Sequence, residues 1–576
     1  MRKFFAATFV FIVISFSILY SLTPKYRTKQ PIKLAISSPV YSFDPAKVID
    51  KNSLFVISQS LESLYQYNYL KRPLELEPAL ADGMPEVSAD GLVYKIKIKP
   101  EVQYHSLGIL KNKIRFVEAD DFIWQIKRLA FLATKSSGRW IFSGRLRGFD
   151  EFSARVNYSQ ELFLQEQISG LKKIDKYTFE LHLTGAEPNF IHYLAMSYTS
   201  PVPFELIVAH QNKLDDHLIG TGAYQFDEFR DNNYYFKKFT NYRYEKYPQI
   251  TQVEGAQIKL GNKQKLLPLI DDLTIKVINS DDFMWKSFEL GDLDILEVPQ
   301  GQLYKLADPN SRWYRKLVSN NVIIKHFSKR SLSWLAFNMQ DSLIGKNKIL
   351  RQAIAHAIDF NKYLKLMTGN TNLRANSMYN PTLKEYKPQH VLPYLYDIKK
   401  ARELVKKSGI KPQKLKFNFS TRGVSQKKMD EAVFFQKQLA KIGIELSIKQ
   451  NNFFDFFTQL AEGEVQMWSD YWSYDYPDAQ NIIQLLVNNE SLSINKSSYS
   501  NPKVDQLYQK LVKTHSGAMR KKLAHQIEDE VEHDFPWVLL MYDSTYLLHH
   551  KEIKNFKRSS YIRNYVKYLD NSVQRN

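Results

Sequence analysis

Apolar and polar residues alternate at the start of the globular part of the chain. Ile32, Leu34 and Ile36 are interleaved with Lys33, Ala35 and Ser37, the period of two expected for a half-buried strand. The pattern then lengthens. Leu54, Ile57, Leu61 and Leu64 recur at helical spacing and predict a helix through this segment. Leu92, Tyr94, Ile96 and Ile98 alternate with Lys95, Lys97 and Lys99, predicting a second strand. From Tyr177 to Leu183 the alternation returns, with Phe179 and Leu181 on the apolar face and Glu180 and His182 on the other.

The second half reads as helix followed by strand. Asp397 is placed to cap a helix carrying Ala401, Leu404 and Val405, and Gly409 stands where a left-handed C-terminal cap is needed. Met429 to Ile442 is amphipathic and stops at Gly443, after which Ile444, Leu446 and Ile448 alternate as a strand. Such helix–glycine–strand units predict an α/β lobe with helices packed on a sheet. Proline and glycine cluster over 71–91 and 376–393, marking loops or lobe edges.

The N-terminus has a different pattern. Met1-Arg2-Lys3 is followed by an uncharged run from Phe4 to Leu22, closed by Lys25 and Arg27. That run approaches the ~20 residues that span a bilayer, and Leu19-Tyr20-Ser21-Leu22-Thr23-Pro24 offers no small-x-small cleavage site. Export is the expectation, with residues 1–30 serving as a cleaved signal or as a retained anchor in the inner membrane.

Composition narrows the function classes. With 576 residues, 44% hydrophobic and 24% charged, the chain can bury a large core and is neither disordered nor collagenous. Lysine and arginine exceed aspartate and glutamate by 80 − 60 = 20. The excess is spread in short runs such as Arg520-Lys521-Lys522, with no zinc-finger spacing, RNP motif or basic zipper, so a basic solvated surface is expected rather than nucleic-acid binding. The chain has no cysteine, which removes disulfides, thiolate nucleophiles, Cys-bound metals and a lipid-modified cysteine anchor. HExxH, GxxxxGK[ST] and GxSxG are also absent, so no catalytic residues, metal or cofactor are assigned, although a triad of distant residues stays open. His549 and His550 are adjacent and would face opposite sides of a strand. The acidic run Glu528, Asp529, Glu530, Glu532 and Asp534 is read as a solvated helix face in preference to a metal site.

Several short segments, taken in order, carry a resemblance. They are Phe43-Asp44-Pro45-Ala46; Glu118-Ala119-Asp120-Asp121 with Arg128; Gly220-Thr221-Gly222-Ala223-Tyr224; and Phe288 to Ile295. Phe337-Asn338 with Leu350-Arg351-Gln352-Ala353 and Ala357-Ile358-Asp359 follows, then Trp472-Ser473-Tyr474-Asp475-Tyr476-Pro477-Asp478, then Asn501-Pro502 with Val504-Asp505. Each is weak alone. In this order, across nearly the whole chain, they resemble the peptide/nickel/oligopeptide-binding family of ABC-transporter receptors, solute-binding protein family 5. Two departures are the missing lipobox cysteine and Ala223 in place of the usual proline.

The resemblance implies an α/β, two-lobe periplasmic-binding-protein-like fold with an extra subdomain in the first lobe. Residues 31–70, 200–315 and 541–576 would form lobe I, 71–199 the subdomain and 316–540 lobe II. It implies a periplasmic or extracytoplasmic monomer that captures a short peptide between its lobes and presents it to permease subunits of an ABC transporter. A membrane-anchored sensor of the same fold, a receptor for nickel chelate, haem or sugar, and a hydrolase using the same cleft stay open. Asp475 falls on the family's ammonium-binding position, and Trp472 and Tyr476 would wall the site. The same residues would also make an aromatic turn in which Asp475 caps a helix. Tyr41 and Ser42 are further candidates for the pocket lining. Gly220, Gly222 and Asp44-Pro45 read as turn scaffold, and Arg351 and Asp359 as residues that cap or bridge helices.

Overall fold

The computed structural model describes residues 30–571 except 107, 111–112, 249–264, 489–493 and 516, so the expected signal or anchor over residues 1–30 lies, but for Gln30, outside the described residues. Among them, no helix is long and apolar enough to cross a membrane.

The alternating segments are strands. Ile32–Ile36 buries every second residue, Val93–Lys97 buries Tyr94 and Ile96, and Thr178–His182 buries Phe179 and Leu181. In the second half, the Asp397 carboxylate accepts from the Lys400 N–H to start the helix Ile398–Lys407, and Gly409 takes φ 71° beyond its end. The helix Gln426–Ala440 is followed by Gly443 at φ 81° and then the strand Glu445–Asn451. Left-handed φ is cheap only for glycine, so both glycines let the chain reverse onto the sheet.

Among the described residues, five sheets organise the fold. In the first lobe, Ile32–Ile36 runs parallel to Asp272–Val277, which continues antiparallel through Asn233–Lys238 to Tyr224–Arg230. Beside it, a three-stranded antiparallel sheet sets Ser544–His550 between Ile295–Glu297 and Val322–Ser328. The second lobe is built on a six-stranded sheet ordered Leu373–Arg374, Trp537–Tyr542, Ser331–Phe337, Met467–Ser473, Lys416–Arg422 and Glu445–Asn451. A separate four-stranded antiparallel sheet, containing Val93–Lys97 and Thr178–His182, has its own apolar core with Phe122, Ile126 and Phe131. A two-stranded ribbon, Tyr65–Tyr67 with Leu76–Pro78, completes the set.

The chain passes between the two lobes on two neighbouring strands. Val322–Ser328 lies in the three-stranded sheet, and after Lys329 and Arg330 the next strand, Ser331–Phe337, lies in the six-stranded sheet. On the return, only Asp543 separates Trp537–Tyr542 from Ser544–His550. The Lys329 N–H donates to the Asp543 carbonyl at 2.7 Å, so the two crossings are tied together.

Several matched segments prove to be joints. Asp44 and Arg128, read separately in the sequence, form a fully buried ion pair at 2.5 Å. It pins the first-lobe turn to the helix Ala119–Ala130, which opens with reciprocal Glu118 and Asp121 capping. Arg351 spends its guanidinium on the carbonyls of Ile344, Gly345, Asp534 and Phe535, and Asp359 caps the helix Phe360–Thr368. His549 packs edge-on against Phe556 while His550 stacks on Phe288, as opposite faces of one strand require.

Two expectations need correction. The helix predicted through Leu54–Leu64 stops at Ile57, although Leu61 and Leu64 are buried. Beyond it the backbone pairs elsewhere: Gln59 and Ser60 carbonyls accept from the Tyr224 and Gly222 N–H groups at 3.1 and 2.8 Å. This approach is why position 220 is glycine, since a Cβ there would lie 2.0 Å from the Ser60 carbonyl oxygen. The acidic run is not one solvated face either. Glu528 lies on the inward side of the helix Ala518–Asp534, fully buried, where it accepts from the Ser377 hydroxyl and the Met378 N–H. Arg520 of the short basic run is likewise internal, forked onto Asp478 at 2.7 and 3.0 Å.

Candidate ligand-binding cleft

At the two crossings the structure encloses a cavity of about 630 Å³. The first lobe supplies the end of Ile32–Ile36 with Ser37, the opening turn of the helix Lys51–Ile57, and Ile295 to Gln300. Lys329, Arg330 and Asp543 contribute from the crossings themselves, and Tyr471 and Ser473 from the second lobe. The C-terminal segment adds Phe556, Arg558, Ser560, Arg563 and Tyr565. Alternation decides the second-lobe contribution. In the strand Met467–Ser473, Tyr471 and Ser473 line the cavity, while Asp470 is buried on Arg422 and Lys496 at 2.6 and 2.8 Å.

The cavity wall is rich in cations. Glu297 lies 2.5 Å from Lys51, 3.6 Å from Lys329 and 4.0 Å from Arg558. Burial pushes the Glu297 carboxyl up, but those three cations outweigh it and hold it down to about 2. Arg330 donates to the Asp475 carbonyl at 3.2 Å and lies over the Tyr561 ring. Arg558 donates to the Ser559 and Ile562 carbonyls. Burial, reinforced by repulsion from Arg330 and Arg558, pulls the Arg563 guanidinium down to about 9.

None of the candidate site residues singled out in the sequence, Tyr41, Ser42, Trp472, Asp475 and Tyr476, lines this cavity. Asn481 organises two of them. Its Oδ1 accepts from the Trp472 indole N–H at 2.7 Å and from the Asp475 N–H at 3.0 Å, and its Nδ2 donates to the Asp475 carboxylate at 3.3 Å. Asp475 is half-buried; burial pushes its carboxyl up against the opposing pull of Arg330. Tyr476 is buried against the subdomain, stacked on His192 with centroids 5.4 Å apart and edge-on to Tyr193. Tyr41 is exposed, its hydroxyl donating to the Lys47 carbonyl at 2.6 Å. Ser42 is buried, its hydroxyl donating to Asp215 at 2.7 Å.

Arg330, Arg558 and Arg563 were not singled out in the sequence. They belong to no motif, and only the crossing of distant segments brings them together. Outside the cleft, His390, Glu528 and Glu532 place potential ligand atoms within 4.8 Å of one another. His390 and Glu532 already satisfy each other at 2.6 Å, the hydrogen bond raising the imidazole's affinity for its proton.

Two mixed α/β lobes, joined by paired crossing strands with a charged cavity at the joint, define a two-lobe binding protein. The model of the bacterial extracellular solute-binding proteins, family 5, matches residues 75–492, and the chain belongs to that family. It is 22% identical to haem-binding protein A of Haemophilus influenzae, covering 86% of this chain and 84% of that protein. It is also 22% identical to the dipeptide-binding protein of Escherichia coli, with 84% of each covered. Among solved structures it is similar to DppA of Helicobacter pylori in complex with the peptide STSA (TM-score 0.67, 24% identity, 94% of this chain and 98% of that one). HbpA2 of Haemophilus parasuis is similar at TM-score 0.73 and 20% identity, covering 92% and 98%.

Proposed function

We propose that this chain is an extracytoplasmic receptor that captures short peptides between its lobes and delivers them to the permease subunits of an ABC transporter. The observation that carries this reading is the cavity of about 630 Å³ walled by both lobes at their crossing strands. Its size suits a small ligand, for which pockets run ~300–1,000 Å³, and a site split between lobes couples occupancy to closure. The peptide-binding relatives support the ligand class.

Asp475, outside the cavity lining but bonded through its carbonyl to the lining residue Arg330, would receive the peptide's α-ammonium as the lobes close in this reading. Its carboxylate is held by the Asn481 amide and, among the described residues, has no cation within salt-bridge reach, so an arriving ammonium would pair a half-buried charge. Trp472 shares the Asn481 anchor and fixes the strand end behind it. Tyr476, packed into the subdomain, and the turn at Tyr41 and Ser42 would bear on closure of the seam.

Thermal melts against di- to pentapeptides test the proposal. A ligand at a hundredfold excess over its Kd stabilises by ~2.7 kcal/mol, and the peptides should be recovered intact by mass spectrometry. A rise with haemin or a nickel chelate but with no peptide would replace the ligand class, and cleavage of the peptides would replace the receptor reading.

A further inference from the structure

Five cations, Lys51, Lys329, Arg330, Arg558 and Arg563, line the cleft against three carboxylates, Asp281, Glu297 and Asp543, an excess that a zwitterionic peptide does not offset. Lys51, Lys329 and Arg558 converge on one carboxylate, Glu297. Arg330 gives the cavity a guanidinium that, among the described residues, donates only to the Asp475 backbone carbonyl. Arg563 lines the same cavity and, among the described residues, forms no ion pair and no side-chain hydrogen bond. A desolvated cation with no ion-pair partner is costly and persists where something else supplies the charge. A dipeptide or tripeptide with neutral side chains brings one carboxylate and one ammonium. Its carboxylate would answer one of the two guanidiniums, and its ammonium would take the field of Asp475 away from both.

Resting on the peptide-receptor reading above, we infer that the cleft selects acidic peptides, with Arg563 and Arg330 receiving a side-chain carboxylate in addition to the C-terminal one. Guanidinium suits this task, since its planar fork of donors pairs a carboxylate through two parallel hydrogen bonds and stays charged when dried. The rings of Tyr561, 5.2 Å from the Arg330 guanidinium, and Tyr565, 4.9 Å from that of Arg558, favour these cations without consuming their donors. Arg563 enters from the C-terminal segment and Arg330 from the crossing, so two carboxylates of one peptide, one on each guanidinium, would tie the joint between the lobes.

The experiment compares peptide pools of three to five residues that differ only in carrying one Glu, Gln or Lys, titrated calorimetrically into the wild-type chain and into Arg563→Gln. Wild type should bind the Glu pool at least tenfold more tightly than the Gln pool and the Lys pool least. Arg563→Gln should lose that preference, the Glu pool weakening at least about fivefold more than the Gln pool, so that the two bind within about twofold of each other. Its unliganded melting temperature should hold or rise, because an unpaired cation has been removed. If the variant does not fold, the salt dependence in wild type decides, since the Glu pool should weaken with added salt more steeply than the Gln pool. Peptides bound with equal affinity in all three pools, or a preference that survives Arg563→Gln, would overturn the inference and leave the receptor reading intact. Free glutarate binding where no peptide does would support the anion site and overturn the peptide reading.

Discussion

Replacing Asp475 by asparagine should separate binding from folding, because the two respond differently to the loss of this charge. In the unliganded protein the carboxylate accepts one hydrogen bond, at 3.3 Å from Asn481, and burial has pushed its carboxyl up. No ion pair is broken by the substitution, so stability should stay within about 0.5 kcal/mol of wild type or rise slightly. The sign with pH follows. A folded-state carboxyl raised above its ordinary ~3.9 favours folding in the protonated form, so its contribution is lost as pH climbs from that value through the raised one. The asparagine variant lacks this loss. In the complex, a peptide ammonium would face a neutral amide in a dry cleft, which costs ~2–5 kcal/mol, or about 30-fold to several thousandfold in Kd. Calorimetry on both proteins with a free and an N-acetylated peptide completes a cycle that isolates the charge pair. Equal losses for the two peptides would make Asp475 a structural residue, and an unchanged affinity for the free peptide would remove it from the site.

Arg128→Met should leave the Asp44 carboxylate buried and alone, at a cost of ~3–5 kcal/mol read from denaturant midpoints. Adding Asp44→Asn should recover part of that, and a single-variant loss below about 1 kcal/mol would show that water reaches the pair. Gly220→Ala would force a Cβ against the Ser60 carbonyl, and ~1–3 kcal/mol of destabilisation is expected; an unchanged melt would mean the crossing at Gln59–Ser60 is looser than the structure shows. Glu528, facing His390, Glu532 and Ser377, is pushed by burial up to about 7. Its contribution to stability should therefore fall as pH rises from an unfolded-state value of ~4.3 towards 7. Glu528→Gln should flatten that part of the wild-type profile and melt higher at pH 8, and an identical slope in the two proteins would reject the assignment.

What could be read in the sequence depended on whether the signal was local. Strand alternation at Ile32–Ile36 and Val93–Lys97 was legible because a half-buried strand shows its two faces at consecutive positions. The caps at Asp397, Gly409 and Gly443 were legible because a helix end needs a particular chemistry within a few residues. The segment Leu54–Leu64 misled because apolar spacing reports burial, and irregular chain pinned under Gly222 and Tyr224 buries Leu61 and Leu64 just as a helix would. Glu528 misled because residue type alone does not say which side of an amphipathic helix a carboxylate occupies.

The amino-acid sequence by itself determined the alternating strands, the capped helices of the second half and, through ordered short segments, the family. It also marked Asp44 and Arg128, though not that they meet. Only the tertiary structure decided the cleft. Lys51, Glu297, Lys329 and the C-terminal pair Arg558 and Arg563 come from distant parts of the chain, and the field they share exists because two strands cross between lobes at Lys329–Arg330 and Asp543. Coulomb interactions depend on separation in space and on the water excluded between charges. Neither quantity is written in the order of residues, so the site's charge could be known only once the chain had closed around it.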